Sequence, residues 1–151
     1  MPMAKRETPL RERALAMLAR REHTRTEMAR KLSAHCDSPQ EIELLLDVLT
    51  ARGWLSEARF AESRANTLAR KFGSRKIEHD LKSRGVSAEV VERAVLQARG
   101  QEVENCRTAW QKKFGASPAN AAERAKQIRF LQGRGFSFES IRVVTDREAG
   151  N

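Results

Sequence analysis

The sequence predicts an all-α protein of three tandem three-helix repeats, stacked into an elongated, curved body. Leucine, alanine, arginine and glutamate dominate, all good helix formers, while valine and isoleucine never alternate along a strand-length run. Signals for starting and stopping helices recur at short intervals. One order of helices and turns then returns three times along 151 residues.

Thr8-Pro9, Ser38-Pro39 and Ser117-Pro118 each place a hydroxyl N-cap before a proline suited to the first helical position. Thr24-Arg25-Thr26-Glu27 and Ser38-Pro39-Gln40-Glu41 fit the capping box, in which hydroxyl and carboxylate satisfy each other's backbone donors. Gly53, Gly73, Gly85, Gly100, Gly115 and Gly135 each follow a periodic segment, where a left-handed residue closes a helix.

Between these marks the apolar residues recur at three and four. The first helix, over 9–21, carries Leu10, Ala14, Met17 and Leu18 on one face. Met28 and Leu32 mark the second, 24–35, and Ile42, Leu45, Leu46 and Leu49 the third, 39–52. Phe60, Ala65, Leu68 and Phe72 predict a helix over 57–72; Ile77 and Leu81 predict 75–84; Val90, Val91, Ala94 and Val95 predict 88–99. Val103, Cys106, Trp110 and Phe114 follow over 101–114, Ala121, Ala125, Ile128 and Leu131 over 118–133, and Ile141 and Val144 over 138–147.

The repeat appears when thirds of the chain are compared. Leu18-Ala19-Arg20-Arg21 returns as Leu68-Ala69-Arg70-Lys71, and Met28 and Leu32 return as Ile77 and Leu81. Arg70-Lys71-Phe72-Gly73 returns as Lys112-Lys113-Phe114-Gly115. Leu81-x-x-Arg84-Gly85-Val86-Ser87 returns as Leu131-x-x-Arg134-Gly135-Phe136-Ser137. The expected modules are residues 1–56, 57–100 and 101–151, the last carrying about eight extra residues near its second helix. Stacked repeats of this kind present one long decorated face.

Twenty-nine basic residues against twenty acidic ones leave a net charge of +9. Such a surplus points to a polyanionic partner, usually nucleic acid, with a merely solvated surface as the alternative and anionic membrane a weaker candidate. The first helix of each repeat ends in a basic doublet: Arg20-Arg21, Arg70-Lys71 and Lys112-Lys113. Positive side chains there also favour the helix dipole, which explains one doublet well. Three at equivalent places, with Arg75, Lys76, Arg124, Lys126 and Arg129 nearby, form the candidate anion-binding strip. Residues 36–56 run against this trend, with Glu41, Glu43 and Asp47 on one helix. That segment is either a solvated face or a contact for basic protein surface.

Catalysis is not expected. His23, His35 and His79 have no ligand-like spacing, and His35-Cys36-Asp37 lacks the four tetrahedral ligands of a zinc site. No phosphate-binding glycine motif occurs, so no nucleotide or other cofactor is expected. Cys36 and Cys106 form no paired motif, and Cys106 shares an apolar stripe with Val103 and Trp110. With no apolar run of about 18 residues and no signal peptide at residues 1–7, the expected setting is a reducing cytoplasm, off the membrane. Phe60, Phe72, Trp110, Phe114 and Phe130 fall near apolar stripes and are read as core. Trp54 and Phe136 follow glycine stops, where an aromatic seals a helix joint or, if exposed, stacks on a base.

Three segments together resemble the RecX regulators of the bacterial RecA recombinase. They are Leu49-Thr50-Ala51-Arg52-Gly53-Trp54-Leu55-Ser56-Glu57-Ala58-Arg59-Phe60-Ala61, then Lys71-Phe72-Gly73-Ser74-Arg75-Lys76-Ile77 with Leu81-x-x-Arg84-Gly85, and Arg129-Phe130-Leu131-x-x-Arg134-Gly135-Phe136-Ser137. The resemblance runs from about Leu15 to Val144. It departs at Ser56-Glu57, where the family often has consecutive acids; serine serves equally well as the cap of the next helix.

The resemblance implies a regulator that binds the RecA filament on single-stranded DNA, lies in its helical groove, and lowers its ATPase, strand-exchange and co-protease activities. The expected partners are that filament and single-stranded DNA, with double-stranded DNA a second target, little sequence preference, and the chain acting as a monomer. The alternative is a DNA-binding protein of helix-turn-helix-like units. Against it, Met28-Ala29-Arg30-Lys31 and Ile77-Glu78-His79-Asp80 lack a set of side chains for reading base edges.

Overall fold

A computed structural model describes residues 8–149, and among them it contains nine α-helices and no strand. They are α1 (Leu10–Arg20), α2 (Arg25–Leu32), α3 (Pro39–Ala51), α4 (Glu57–Ala69), α5 (Ser74–Ser83), α6 (Ala88–Gly100), α7 (Glu102–Lys113), α8 (Ala121–Gly133) and α9 (Phe138–Ala149). Residues 1–7, read above for a leader, lie outside the described segment.

The hydroxyl caps predicted in the middle of the chain hold, although Glu27 and Glu41 take Arg21 and Cys36 instead of completing the capping boxes. The caps predicted near two other prolines fail. Thr24 and Ser38 each accept the N–H three residues on, at 3.0 and 3.2 Å, and Pro39 opens α3. Ser56 does the same for Arg59 at the start of α4, so one acid fewer costs no cap. Pro9, however, keeps an extended ψ of 142° and stands at the N-cap instead of the first helical position. Ser117-Pro118 lies in the loop before α8, where Asn120 takes the cap: its side chain accepts the Glu123 N–H, and Glu123 accepts the Ala119 N–H. The extra residues of the third repeat thus form loop, and the helix waits for a better-placed capping side chain.

The glycines divide into two kinds. Gly53, Gly85, Gly115 and Gly135 adopt φ between 69 and 86° and close helices as expected. Gly100 stays inside α6 as its last residue, and Gly73 precedes α5 with extended backbone. The sequence predicts a left-handed stop at each of these two, and neither has a positive φ.

The chain divides into two compact units, Met1–Phe60 and Ala61–Asn151. In the first, α2 packs on α1 and α3, burying Ala14, Met28, Leu32, Ile42, Leu46, Leu49 and Leu55 in one core. In the second, α5 packs on α6, burying Ile77, Leu81, Val86, Val91, Ala94 and Val95. There α7, α8 and α9 enclose Cys106, Ala109, Trp110, Leu131, Phe136, Ile141 and Val144. Trp110 stays satisfied inside that core because its indole N–H donates to Gln127, whose amide donates to the Ala116 carbonyl. Phe60 and Trp110 are buried, as their stripes predict, and Phe136, which follows a glycine stop, is buried at its helix joint rather than exposed.

Candidate nucleic-acid interface

The α5 N-terminus is completed by residues far along the chain. A helix leaves its first N–H groups without internal partners. Here Gly73 donates to the Arg134 carbonyl at 2.9 Å and Arg75 to the Gly135 carbonyl at 3.2 Å, both acceptors lying in the turn between α8 and α9. Between them, the Ser74 N–H donates to Glu102 at 2.8 Å. Such an approach needs bare backbone. A Cβ on Gly73 would sit 2.4 Å from the Phe136 Cα, and one on Gly135 would sit 2.6 Å from the Lys76 Cγ.

Glu102, the first residue of α7, is only 4% exposed and accepts four hydrogen bonds. Ser74 gives its N–H and hydroxyl to one carboxylate oxygen; the Ser137 and Ser140 hydroxyls go to the other at 2.7 and 2.8 Å. Burial pushes this carboxyl up, but the bonds from Ser74, Ser137 and Ser140 outweigh it and hold the group below the ordinary carboxylate range. The carboxylate sits at the beginnings of α5 and α9, where helix dipoles favour negative charge.

This joint sets up an alternating stack of cations and rings in the second unit. The Lys76 ammonium lies 4.9 Å from the Phe72 centroid, and the Arg134 guanidinium lies 5.4 Å from Phe72 and 4.9 Å from Phe130. Lys113 follows at 5.5 Å from Phe130, which also meets Phe114 edge-on at 5.4 Å. The order is Lys76, Phe72, Arg134, Phe130, Lys113. Each such contact is worth about 0.5–1 kcal/mol at an exposed site. More to the point, the rings fix where three cations stand. Beside them runs an open groove of 670 Å³ lined by Leu68, Phe72, Arg75, Lys76, His79 and Gln132.

The structure therefore brings Lys76 and Lys113 together through half-buried Phe72, Phe114 and Phe130, rings that the sequence reading assigned to the core. Lys71 is exposed one residue before Phe72, and its carbonyl lies 3.5 Å from the Arg134 guanidinium. Arg70, Arg75 and Lys112 are exposed in the same unit, as are Lys126 and Arg129 on α8. Arg124 is engaged by Asp146 of α9. In the first unit Arg20 is exposed, whereas Arg21 holds Glu27 in a two-point contact at 2.8 and 3.0 Å.

Two central residues were missed as site residues. Arg134 stands in the repeated Leu-x-x-Arg-Gly segment, and its recurrence at Arg84 was the available signal. Its counterpart behaves differently: Arg84 pairs with Asp80, which Arg64 also holds at 2.9 Å. Glu102 left no signal, since its partners lie 28 to 38 residues away.

Comparison with known proteins bears on both units. Residues 56–95 match the description "RecX, second three-helix domain" and residues 100–145 match "RecX, third three-helix domain". "Regulatory protein RecX" of Leptothrix cholodnii is 47% identical over 135 residues, covering 89% of this chain and 86% of the relative. Its counterpart from Ralstonia nicotianae is 39% identical over 150 residues, covering 99% and 94%. The crystal structure of RecX from Lactobacillus salivarius superposes with a TM-score of 0.79 at 21% identity, covering 93% of this chain and 94% of that one.

Proposed function

The chain belongs to the RecX family of regulatory proteins, and on that footing we propose that it binds the RecA filament on single-stranded DNA and inhibits it. The inhibited activities are ATP hydrolysis, strand exchange and co-protease action; the chain itself is a non-catalytic monomer of the cytoplasm. The observation that carries this reading is the cation–ring stack. Three positive groups, Lys76, Arg134 and Lys113, are held at set positions on Phe72 and Phe130 beside a groove. Fixed cations lose little side-chain freedom on meeting a phosphate backbone, and they read no base edge. Little sequence preference follows.

Arg70, Lys71, Arg75, Lys112, Lys126 and Arg129 extend the contact in the second unit, and Arg20 contributes from the first. Arg21 and Arg124 belong to the same set, with their charge partly spent on Glu27 and Asp146. The modules 1–56, 57–100 and 101–151 serve as successive contact units.

The test is a titration of this protein into RecA hydrolysing ATP on single-stranded DNA. Loss of hydrolysis at substoichiometric amounts is expected. Unchanged hydrolysis at equimolar protein retires the reading. As a residue check, Arg70→Glu with Lys71→Glu weakens binding while circular dichroism stays unchanged.

A further inference from the structure

The turn after α3 leaves a tryptophan part-exposed. Three turns share the pattern of leucine, two residues, arginine and glycine, followed by a serine that opens a helix: Leu49 to Ser56, Leu81 to Ser87, and Leu131 to Ser137. In the last two, the residue between glycine and serine is buried, Val86 at 7% and Phe136 at 1% exposed. The first turn has one residue more. Leu55 fills the buried place at 4% exposed, and the additional residue, Trp54, keeps 40% of its surface accessible.

The backbone around Trp54 is held by hydrogen bonds on both sides of the residue. Gly53 takes φ 76°, and both the Trp54 and Leu55 N–H groups donate to the Leu49 carbonyl at 3.0 and 3.2 Å. Arg59, anchored on Glu22 at 2.9 Å, donates to the Gly53 and Trp54 carbonyls at 2.7 and 3.2 Å. Thus the Gly53 and Trp54 carbonyls and the Trp54 and Leu55 N–H groups are all paired, while the Trp54 side chain stays part-exposed. Two guanidiniums lie over the ring, Arg52 at 5.3 Å and Arg11 at 5.8 Å from its centroid, so a base that stacks there takes the place of one of them. An exposed ring flanked by two arginines matches one unit of single-stranded nucleic acid, a base that stacks and phosphates that pair.

We propose that Trp54, with Arg11 and Arg52, is a stacking site for an unpaired nucleobase, its neighbouring phosphates held by the two arginines. The proposal rests on the reading that this chain meets single-stranded DNA, and it adds a site in the first unit. Stacking is indifferent to base identity, because every base has a π-face. It requires an unpaired base, which a duplex does not offer.

Tryptophan emission tests it, since Trp110 is buried and held by Gln127 and so supplies a constant background. The full-length protein is titrated with a thymidine oligonucleotide and with an abasic strand of equal length. The anisotropy of a labelled strand records binding separately, and both series are repeated with Trp54→Phe. Expected are quenching by the thymidine strand, little by the abasic strand, none in Trp54→Phe, and a loss of affinity of about tenfold in Trp54→Ala. Binding by anisotropy with unchanged Trp54 emission, or equal quenching by both strands, overturns the stacking site and leaves the DNA reading standing. Absence of binding overturns both. A Trp54 response to recombinase alone, without one to the oligonucleotide, overturns the proposal in favour of a protein contact.

Discussion

Glu102 and Ser74 meet through two hydrogen bonds to one carboxylate oxygen, each 2.8 Å long, across 28 residues of chain. The same carboxylate takes the hydroxyls of Ser137 and Ser140, so one buried negative charge ties the start of α5 to the start of α9. The arrangement of the cation–ring stack depends on that joint, because Lys76 sits on the first turn of α5 and Arg134 in the turn before α9.

Glu102→Ala leaves a buried backbone N–H and three hydroxyls without their acceptor. It is expected to destabilise the fold by about 3 kcal/mol in urea unfolding, and Glu102→Gln by less. The folded carboxyl lies below its unfolded value, so its contribution is complete above the unfolded pKa of about 4.3 and fades as pH falls through the lower folded value. The stability difference between wild type and Glu102→Gln should therefore shrink progressively as the pH is lowered below the unfolded value of about 4.3. A constant difference at all pH values contradicts the charge-based account.

Gly73→Ala and Gly53→Ala separate packing from backbone strain. Gly53 has nothing within 4 Å of an added Cβ but a φ of 76°, so alanine there costs about 1 kcal/mol. Gly73 has an ordinary φ, yet its Cβ would meet backbone atoms of Gly135 and Phe136 at 2.5 Å or less. The expected order in denaturant midpoint is wild type, then Gly53→Ala, then Gly73→Ala. Equal midpoints for the two variants would show that the joint is not close-packed.

Arg134→Ala should lower affinity for single-stranded DNA about tenfold, and reduce the slope of log K against log salt by about 0.7, one phosphate contact. If about six of these cations meet phosphates at once, the wild-type slope is near −4. Arg124→Ala, which removes a charge already engaged by Asp146, changes the slope less. A slope near zero in wild type, or Arg124→Ala matching Arg134→Ala, speaks against the stack as the phosphate contact.

The two cysteines should differ in reactivity. Cys106 is completely buried, and burial pushes its thiol up to about 12, leaving almost no thiolate at neutral pH. Cys36 is half-buried near Ser38 and Glu41. Ellman's reagent on the native protein should report one thiol promptly and the second only on unfolding. Two prompt thiols would mean that the α7–α9 core opens readily.

Much of the architecture is local and so could be read from the chain. Helix positions follow from apolar spacing and from caps within four residues, and eight of the nine starts fall within two residues of the expected ones. α8 is the exception, because Asn120 caps better than Ser117. The recurrence of Leu-x-x-Arg-Gly was equally visible, since it needs only the order of residues.

What remained hidden depends on partners distant in sequence. Arg21 and Arg70 look alike in the chain, yet Arg21 is bound by Glu27 while Arg70 stands exposed. Phe72 and Phe130 lie on core-like stripes, and only the folded unit sets the Arg134 guanidinium between them. The sequence by itself determined the helices, their threefold order and the positive surplus, all of which arise from interactions within a turn or from composition. Tertiary structure alone decided which charges are paired, which carboxylate is buried and which ring stays outside, because burial and ion pairing are set by whatever the fold brings alongside.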